Sequence, residues 1–418
     1  MKPKHPAPTR SVPSASSEQR RSFWERGRPL WPLAVAVGLV LISLYVRYVT
    51  RAMTNSDMEA KILVWYAKLQ RHGPFVGLGK DFYNYTPPYL YLLSLATFTS
   101  SFLTPLTSVK IIAMIFDVFG ATFVYLLVRL YRPSWQLPLL AAAVFFSGPT
   151  WLVNSAVWGQ ADSTYTTFLL ACLYLSLVDR PALAVASFSI ALAFKPQGIF
   201  FAPLLMLMLL WGRIRWYHLL LVPVVYALCM APAVAFGRTW IEVFTAYTGQ
   251  ADSGQALTHN AATIYVFLPK SAYTLLFWPA VVVATGIFLA WVLITWRTVR
   301  RADTPTLILL ALVCVTLVPF LLPNMRERYY YPADTLSLIL AFMVPSFWFF
   351  PVLFQILSLL SYSMFLWAAP PSNLQAAAVL SFITLMLLLR RQAQWRSRPN
   401  SVEVTSGRDP IARGSGPR

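Results

Sequence analysis

Only 12% of the 418 residues are charged, yet residues 54–89 gather carboxylates, amides and tyrosines into one short polar stretch. It holds Ser56-Asp57-Met58-Glu59, an amphipathic run over 61–72, and Asn84-Tyr85-Thr86-Pro87-Pro88-Tyr89. A carboxylate in a polar turn can accept a proton from a hydroxyl nucleophile, and Asp57 is the leading candidate for that work. Glu59, two residues on, could be the acid that matters instead, or a supporting partner. Further along stand Trp158-Gly159-Gln160-Ala161-Asp162, Phe194-Lys195-Pro196-Gln197, His259-Asn260 and Asn324-Met325-Arg326-Glu327-Arg328-Tyr329. Lys195 offers a compact cation and Arg328, or Arg326, a planar fork; both suit a phosphate leaving group. Tyr83, Tyr85, Tyr89, Trp158 and the tyrosines at 329–331 present apolar faces with polar rims, fit for sugar rings or for anchoring at a membrane boundary. Base, cations and aromatic platforms in apolar surroundings point to group transfer from a lipid-linked phosphate donor.

The elements that must position these residues are membrane helices. The chain is 57% hydrophobic with mean hydropathy +0.58, values of an integral membrane protein. Apolar runs lie at 31–49, 109–128, 137–153, 163–177, 182–194, 199–210, 216–236, 273–296, 306–322, 333–348, 352–367 and 374–389, so the expected fold is all-α and polytopic, with about twelve transmembrane helices. Residues 1–30 and 392–418 read as disordered basic tails, and 31–391 as one membrane-embedded bundle. The first run lacks a small-residue cleavage site and is expected to stay as a signal anchor.

Arginines at 20, 21, 26 and 28, at 129 and 132, at 180, at 213 and 215, at 297, 300 and 301, and at 390, 391 and 396 mark cytoplasmic ends by the positive-inside bias. This parity holds only if the run 87–103 does not cross, so it is expected to be a juxtamembrane or re-entrant helix. A first external loop then spans 50–104 and another 237–272. Both termini are expected in the cytoplasm, and every chemically suggestive motif falls on the outer side. The runs 182–194 and 199–210 are short and flank Lys195-Pro196-Gln197, as a broken helical hairpin with a polar tip would.

The net charge of +19 resides in tails and short loops and is no nucleic-acid footprint. Cys172, Cys229 and Cys314 lie within apolar runs, without disulfide or zinc spacing, and the four histidines are scattered. No cofactor is expected; Asp57 with Glu59 or Asp162 could hold a divalent ion, so metal dependence stays open. Gln160 and Asp162 could also cap the following helix. Asp117 lies inside an apolar run. Read as unaccompanied by a second mid-membrane charge, it suits a hydrogen bond between helices, and its alternative is the polar path of a transporter or flippase.

The motifs resemble those of the GT-C glycosyltransferase superfamily, and more narrowly bacterial relatives of the GPI-anchor second mannosyltransferase. Asp57 in Ser56-Asp57-Met58-Glu59-Ala60 matches that family's first-loop acid. Asn84-Tyr85-Thr86-Pro87-Pro88 is similar to its Asn-Tyr-x-Pro-Pro signature, and Trp158–Asp162 and Phe194–Gln197 to its next two external motifs. Met325-Arg326-Glu327-Arg328-Tyr329 resembles Met-His-Glu-Arg-Tyr with Arg326 in place of the histidine, and His259-Asn260-Ala261-Ala262-Thr263-Ile264-Tyr265 only loosely follows Asn-Ala-x-Asn-x-Tyr. The resemblance implies an inner-membrane enzyme that moves a hexose, often mannose, from a polyprenyl phosphate to a lipid-linked or glycan acceptor, with inversion. It implies Asp57 as general base, Arg328, Lys195 and Arg326 on the donor phosphate, and Glu59, Tyr85, Gln160, Asp162, Gln197, Asn260 and Glu327 around sugar or acceptor.

Overall fold

The computed structural model describes residues 30–251, 255–299 and 302–396; the tails at 1–29 and 397–418 lie outside the described residues. Each apolar run is helical. Hydrocarbon offers no water to backbone polar groups, and a helix satisfies them along its own length. The bundle helices are α1 (Trp31–Val49), α2 (Pro105–Tyr131), α3 (Gln136–Ser147), α4 (Asp162–Leu177), α5 (Pro181–Phe194), α6 (Ala202–Leu210), α7 (Leu221–Ala235), α8 (Tyr273–Thr298), α9 (Thr304–Leu321), α10 (Tyr331–Met343), α11 (Phe349–Leu366) and α12 (Pro371–Arg396). Among the described residues seven helices are long and apolar enough to cross a membrane, or eight when α3 and the segment Pro149–Trp158, bent by 46° from it, count as one span. The chain is therefore a multi-pass, all-α integral membrane protein. Helix α12 continues through residues 392–396, which the sequence reading gave to the tail.

Many helices start on proline, whose fixed φ and missing N–H suit a first turn: α2 on Pro105, α5 on Pro181, and α9 with Pro305 just after Asp303, whose side chain caps Thr306 N–H at 3.0 Å. Burial then sorts the helices. Every residue of α9 from Pro305 to Phe320 is buried, making it the central post of the bundle. Helix α8 instead turns Leu275, Trp278, Val282 and Val283 outward, which only a lipid surround makes favourable.

Helix Pro87–Ala96 has ten residues, about 15 Å at 1.5 Å per residue, half the thickness of a hydrocarbon core. It does not cross. Leu90 and Leu93 bury against the bundle, and Thr86 Oγ1 donates to the Phe194 carbonyl at 3.1 Å, tying the start of this helix to the end of α5.

Three local features shape the polar end. Helical segments Met58–Ile62 and Val153–Trp158 are π-helical, a wider turn often found at functional sites. Strand Thr258–His259 pairs in parallel with Met325–Arg326, and Asn260, at φ 59°, bridges to Arg326. Gly159 ends the second π segment at φ +73°, where a Cβ would also lie 2.2 Å from Met58 Cε; glycine is the residue that both constraints allow.

Candidate active site

Asp57 sits at the start of the first π segment. Its Oδ2 accepts from Gln160 Nε2 at 2.7 Å, and its Oδ1 pairs with Lys61 Nζ at 3.0 Å. The carboxylate is 13% exposed and the lysine 45%, so Asp57 lies at a boundary and Lys61 reaches toward solvent. Burial works to raise the Asp57 carboxyl, but the charges of Arg328 and Lys61 and the hydrogen bonds from Lys61 and Gln160 outweigh it. The group is held below its ordinary 3.8 and is ionised at neutral pH. Gln160 is delivered by the turn at Gly159, with Gln160 N–H on the Asn154 carbonyl at 2.9 Å. Asn55 Nδ2 donates to the Trp158 carbonyl at 3.0 Å. The loop of Asp57 and the loop of Gln160 are thus stitched together twice.

Beneath them lies Asp162, fully buried in the first turn of α4, where the helix dipole favours an anion. Its Oδ1 accepts from Lys195 Nζ at 2.6 Å, and its Oδ2 accepts from Asn154 Nδ2 at 2.9 Å and stands 3.5 Å from Arg328 Nε. Arg328 also donates from NH1 to Glu327 Oε1 at 2.8 Å and lies over the Trp158 ring at 5.4 Å. Buried charges survive only when paired. Here two cations face two carboxylates, and the net charge of that core is nil.

A cavity of about 340 Å³ opens above this core. Lys61, Tyr85, Lys195, Gln197, Arg326 and Arg328 form its polar side, while Phe277 and Val281 of lipid-facing α8 supply an apolar wall. Among these four cations Arg326 is the one without an ion-pair partner in the described residues. Lys195 Nζ is 5.9 Å from the centres of the Tyr85 and Tyr165 rings, and the buried Gln197 Oε1 has no hydrogen-bond partner in the structure. Ligand groups entering here would meet cations, an aromatic face and an unsatisfied amide oxygen.

The structure therefore brings Asp57, Tyr85, Gln160, Asp162, Lys195, Gln197, Arg326, Glu327 and Arg328 to one end of the bundle. Two of the residues expected around sugar or acceptor stand apart. Glu59 is exposed and has no side-chain hydrogen bond or ion pair to the cluster among the described residues, because the π turn sends Met58 and Ile62 into the core and leaves Glu59 on the outer side. Asn260 takes up the left-handed conformation at the strand pair and does not line the cavity. Asp162 and Glu327 are present and engaged by Lys195 and Arg328. Asp57, Glu59 and Asp162 do not converge as metal ligands, and among the described residues no three His, Cys, Asp or Glu side chains do.

Sequence reasoning missed Lys61, Asn154 and Arg47. Lys61 follows Asp57 by four residues, the spacing of a helical ion pair, a signal that was available. Asn154 carried none. Arg47 corrects the reading of Asp117. The acid is accompanied by a charge: Arg47 NH2 meets Asp117 Oδ2 at 2.8 Å with both side chains buried. Arg47 also donates to Ser155 Oγ at 2.8 Å and to the Phe146 carbonyl at 3.2 Å, and Tyr331 OH approaches Asp117 Oδ1 at 3.4 Å. This network ties α1, α2, the second π segment and α10 together, with Asp117 fully buried inside it.

These features define a polytopic, all-α membrane protein with a charged cavity at one end. No family model matches the sequence, and neither does any curated protein. Among solved structures the chain is similar to ArnT from Cupriavidus metallidurans bound to undecaprenyl phosphate, with a TM-score of 0.53 and 15% identity over 86% of this chain and 78% of that one. It is equally similar to ArnT from the same organism in the apo state, with a TM-score of 0.52 and 16% identity over 86% of this chain and 77% of the other. The likeness is one of fold.

Proposed function

We propose that the protein is a membrane glycosyltransferase that moves a hexose, with mannose favoured, from a polyprenyl-phosphate sugar to an acceptor hydroxyl. The observation that carries this reading is the cavity itself: cations on one side, the apolar wall of a lipid-facing helix on the other, and the ionised Asp57 carboxylate paired to Lys61, one of the lining cations. Such a site suits a molecule with an anionic head and an apolar tail. The GT-C fold supports it, as does the undecaprenyl phosphate held by one of the similar ArnT structures.

In the proposed reaction the acceptor oxygen forms a bond to the anomeric carbon and its proton passes to Asp57. The bond from that carbon to the phosphate oxygen breaks, and its electron pair stays on the phosphate. Arg326, Arg328 and Lys195 offset the charge that develops there, and such electrostatic stabilisation is usually the largest catalytic contribution. Tyr85 and Gln197 contact the sugar. A single displacement inverts the anomeric centre. The polar end faces outward by the distribution of basic loops, which puts the reaction on the external face of the membrane. No step requires a metal.

The test is sugar transfer from a polyprenyl-phosphate donor to extracted membrane acceptors by the purified protein and by Asp57→Asn, with product configuration read by NMR. Transfer by wild type, loss in the variant and an inverted product are expected. Undiminished transfer by Asp57→Asn would remove Asp57 as the base; a retained configuration would remove the single displacement. Absence of transfer by both proteins would remove the enzyme reading.

A further inference from the structure

The two oxygens of Asp57 are held unequally. Oδ2 is engaged by Gln160, a buried amide whose backbone N–H is held on the Asn154 carbonyl beside the Gly159 turn. Oδ1 is engaged by Lys61, a half-exposed lysine on a flexible stem that also lines the cavity. Lys61 is thus shared between two surroundings: the carboxylate beside it and the space where an anion would lie. Lysine suits such sharing, since its ammonium is a compact charge on four rotatable bonds, while a guanidinium fork would be committed to one geometry. In the resting protein this ammonium weakens Asp57 as a base and occupies its Oδ1.

We infer that Lys61 is a positioning residue that couples donor binding to the release of Asp57. An entering phosphomonoester or phosphodiester draws the Lys61 ammonium from Asp57 Oδ1 to its own oxygens. Oδ1 then becomes free to accept the acceptor's hydroxyl proton, while Gln160 keeps the carboxylate in place through Oδ2. The base is strengthened only when a donor phosphate is present, so the acceptor is activated only in the loaded site. This inference rests on the glycosyltransferase reading and specifies how that same site is switched.

Coupling of this kind is reciprocal. If a phosphate frees Asp57 from Lys61, removing the Asp57 charge must free Lys61 for a phosphate. The experiment is a double-mutant cycle on the affinity of the purified full-length protein for undecaprenyl phosphate, with wild type, Asp57→Asn, Lys61→Met and the double variant. Asp57→Asn should tighten binding by about fivefold or more, the lower end of usual coupling between linked sites, and the same change in the Lys61→Met background should leave affinity unaltered. Lys61→Arg keeps the charge on a fork committed to one geometry, so it should lose part of the coupling while preserving the cation, and it serves as a control for local structure. Equal tightening in both backgrounds would mean that Asp57 merely repels phosphate, and overturns the inference. So does the absence of tightening in either background. Either result, alongside sugar transfer by wild type, removes the Lys61 coupling and leaves the glycosyltransferase reading intact. Failure of all four proteins to bind, with no transfer, removes both.

Discussion

Asp57 and Asp117 are both carboxylates paired with a basic side chain at about the same distance, 3.0 Å to Lys61 and 2.8 Å to Arg47. Their surroundings make them different objects. Around Asp117 the partner is a guanidinium whose remaining donors reach Ser155, Ser43 and the Phe146 carbonyl, and none of the groups can leave without exposing a charge to hydrocarbon. Around Asp57 the partner is a lysine already in contact with solvent and cavity. A salt bridge closed on all sides is a joint between helices; one open on a single side can be traded for a ligand. The difference teaches that the number of alternative partners, more than the length of an ion pair, separates structural from functional charge here.

Four substitutions probe that contrast. Asp57→Asn should lower sugar transfer by about 100-fold or more, the usual worth of a positioned general base, with little change in thermal unfolding; a comparable loss of stability would put Asp57 in the structural class with Asp117. Arg47→Met should do the reverse. Breaking a buried pair from one side costs about 3–5 kcal/mol, read as a lowered unfolding midpoint in detergent, while transfer per folded molecule stays close to wild type. Lys61→Met should move the acid limb of kcat/KM, which reports the free enzyme in which Lys61 still pairs with Asp57. Asp57 acts when ionised and is held below its ordinary 3.8, with Lys61 among the causes, so wild-type activity stays level from neutral pH down into the ordinary carboxylate range. It falls only below that range. Loss of the ammonium raises the Asp57 carboxyl, and the limb shifts to higher pH. The smallest effect belongs to Glu59→Gln: an exposed acid outside the cluster should change neither transfer nor stability beyond about 0.5 kcal/mol, and a large loss of transfer would reinstate it as the acid that matters.

Much of this was legible in the sequence. Apolar runs gave the helices because lipid leaves the backbone few alternatives. Lys195-Pro196-Gln197 marked a break because proline and two short runs flank it, and the structure sets Lys195 there in extended conformation between α5 and α6. What stayed hidden depends on rotation about helix axes. Asp57 and Glu59 are two residues apart, and nothing in the letters tells which of them a π turn sends toward Gln160. Arg47 was submerged in a run counted for its hydropathy. Asn154 became a partner of Asp162 only because the helix bends before it and a π segment carries it back. Such contacts are made by tertiary geometry, and residue type alone does not announce them.

The π segments at Met58–Ile62 and Val153–Trp158 set the rotational phase of the site. A π turn closes its hydrogen bond over five residues where an α turn closes over four, so it fits one residue more into the turn. Each residue in an α-helix advances the chain by about 100°, and one extra residue therefore swings what lies beyond it by more than a quarter circle. Asp57 precedes one such segment, and Gln160 is presented just after the other. The meeting of Asp57 with Gln160 is a matter of phase, held by the two wide turns that flank it.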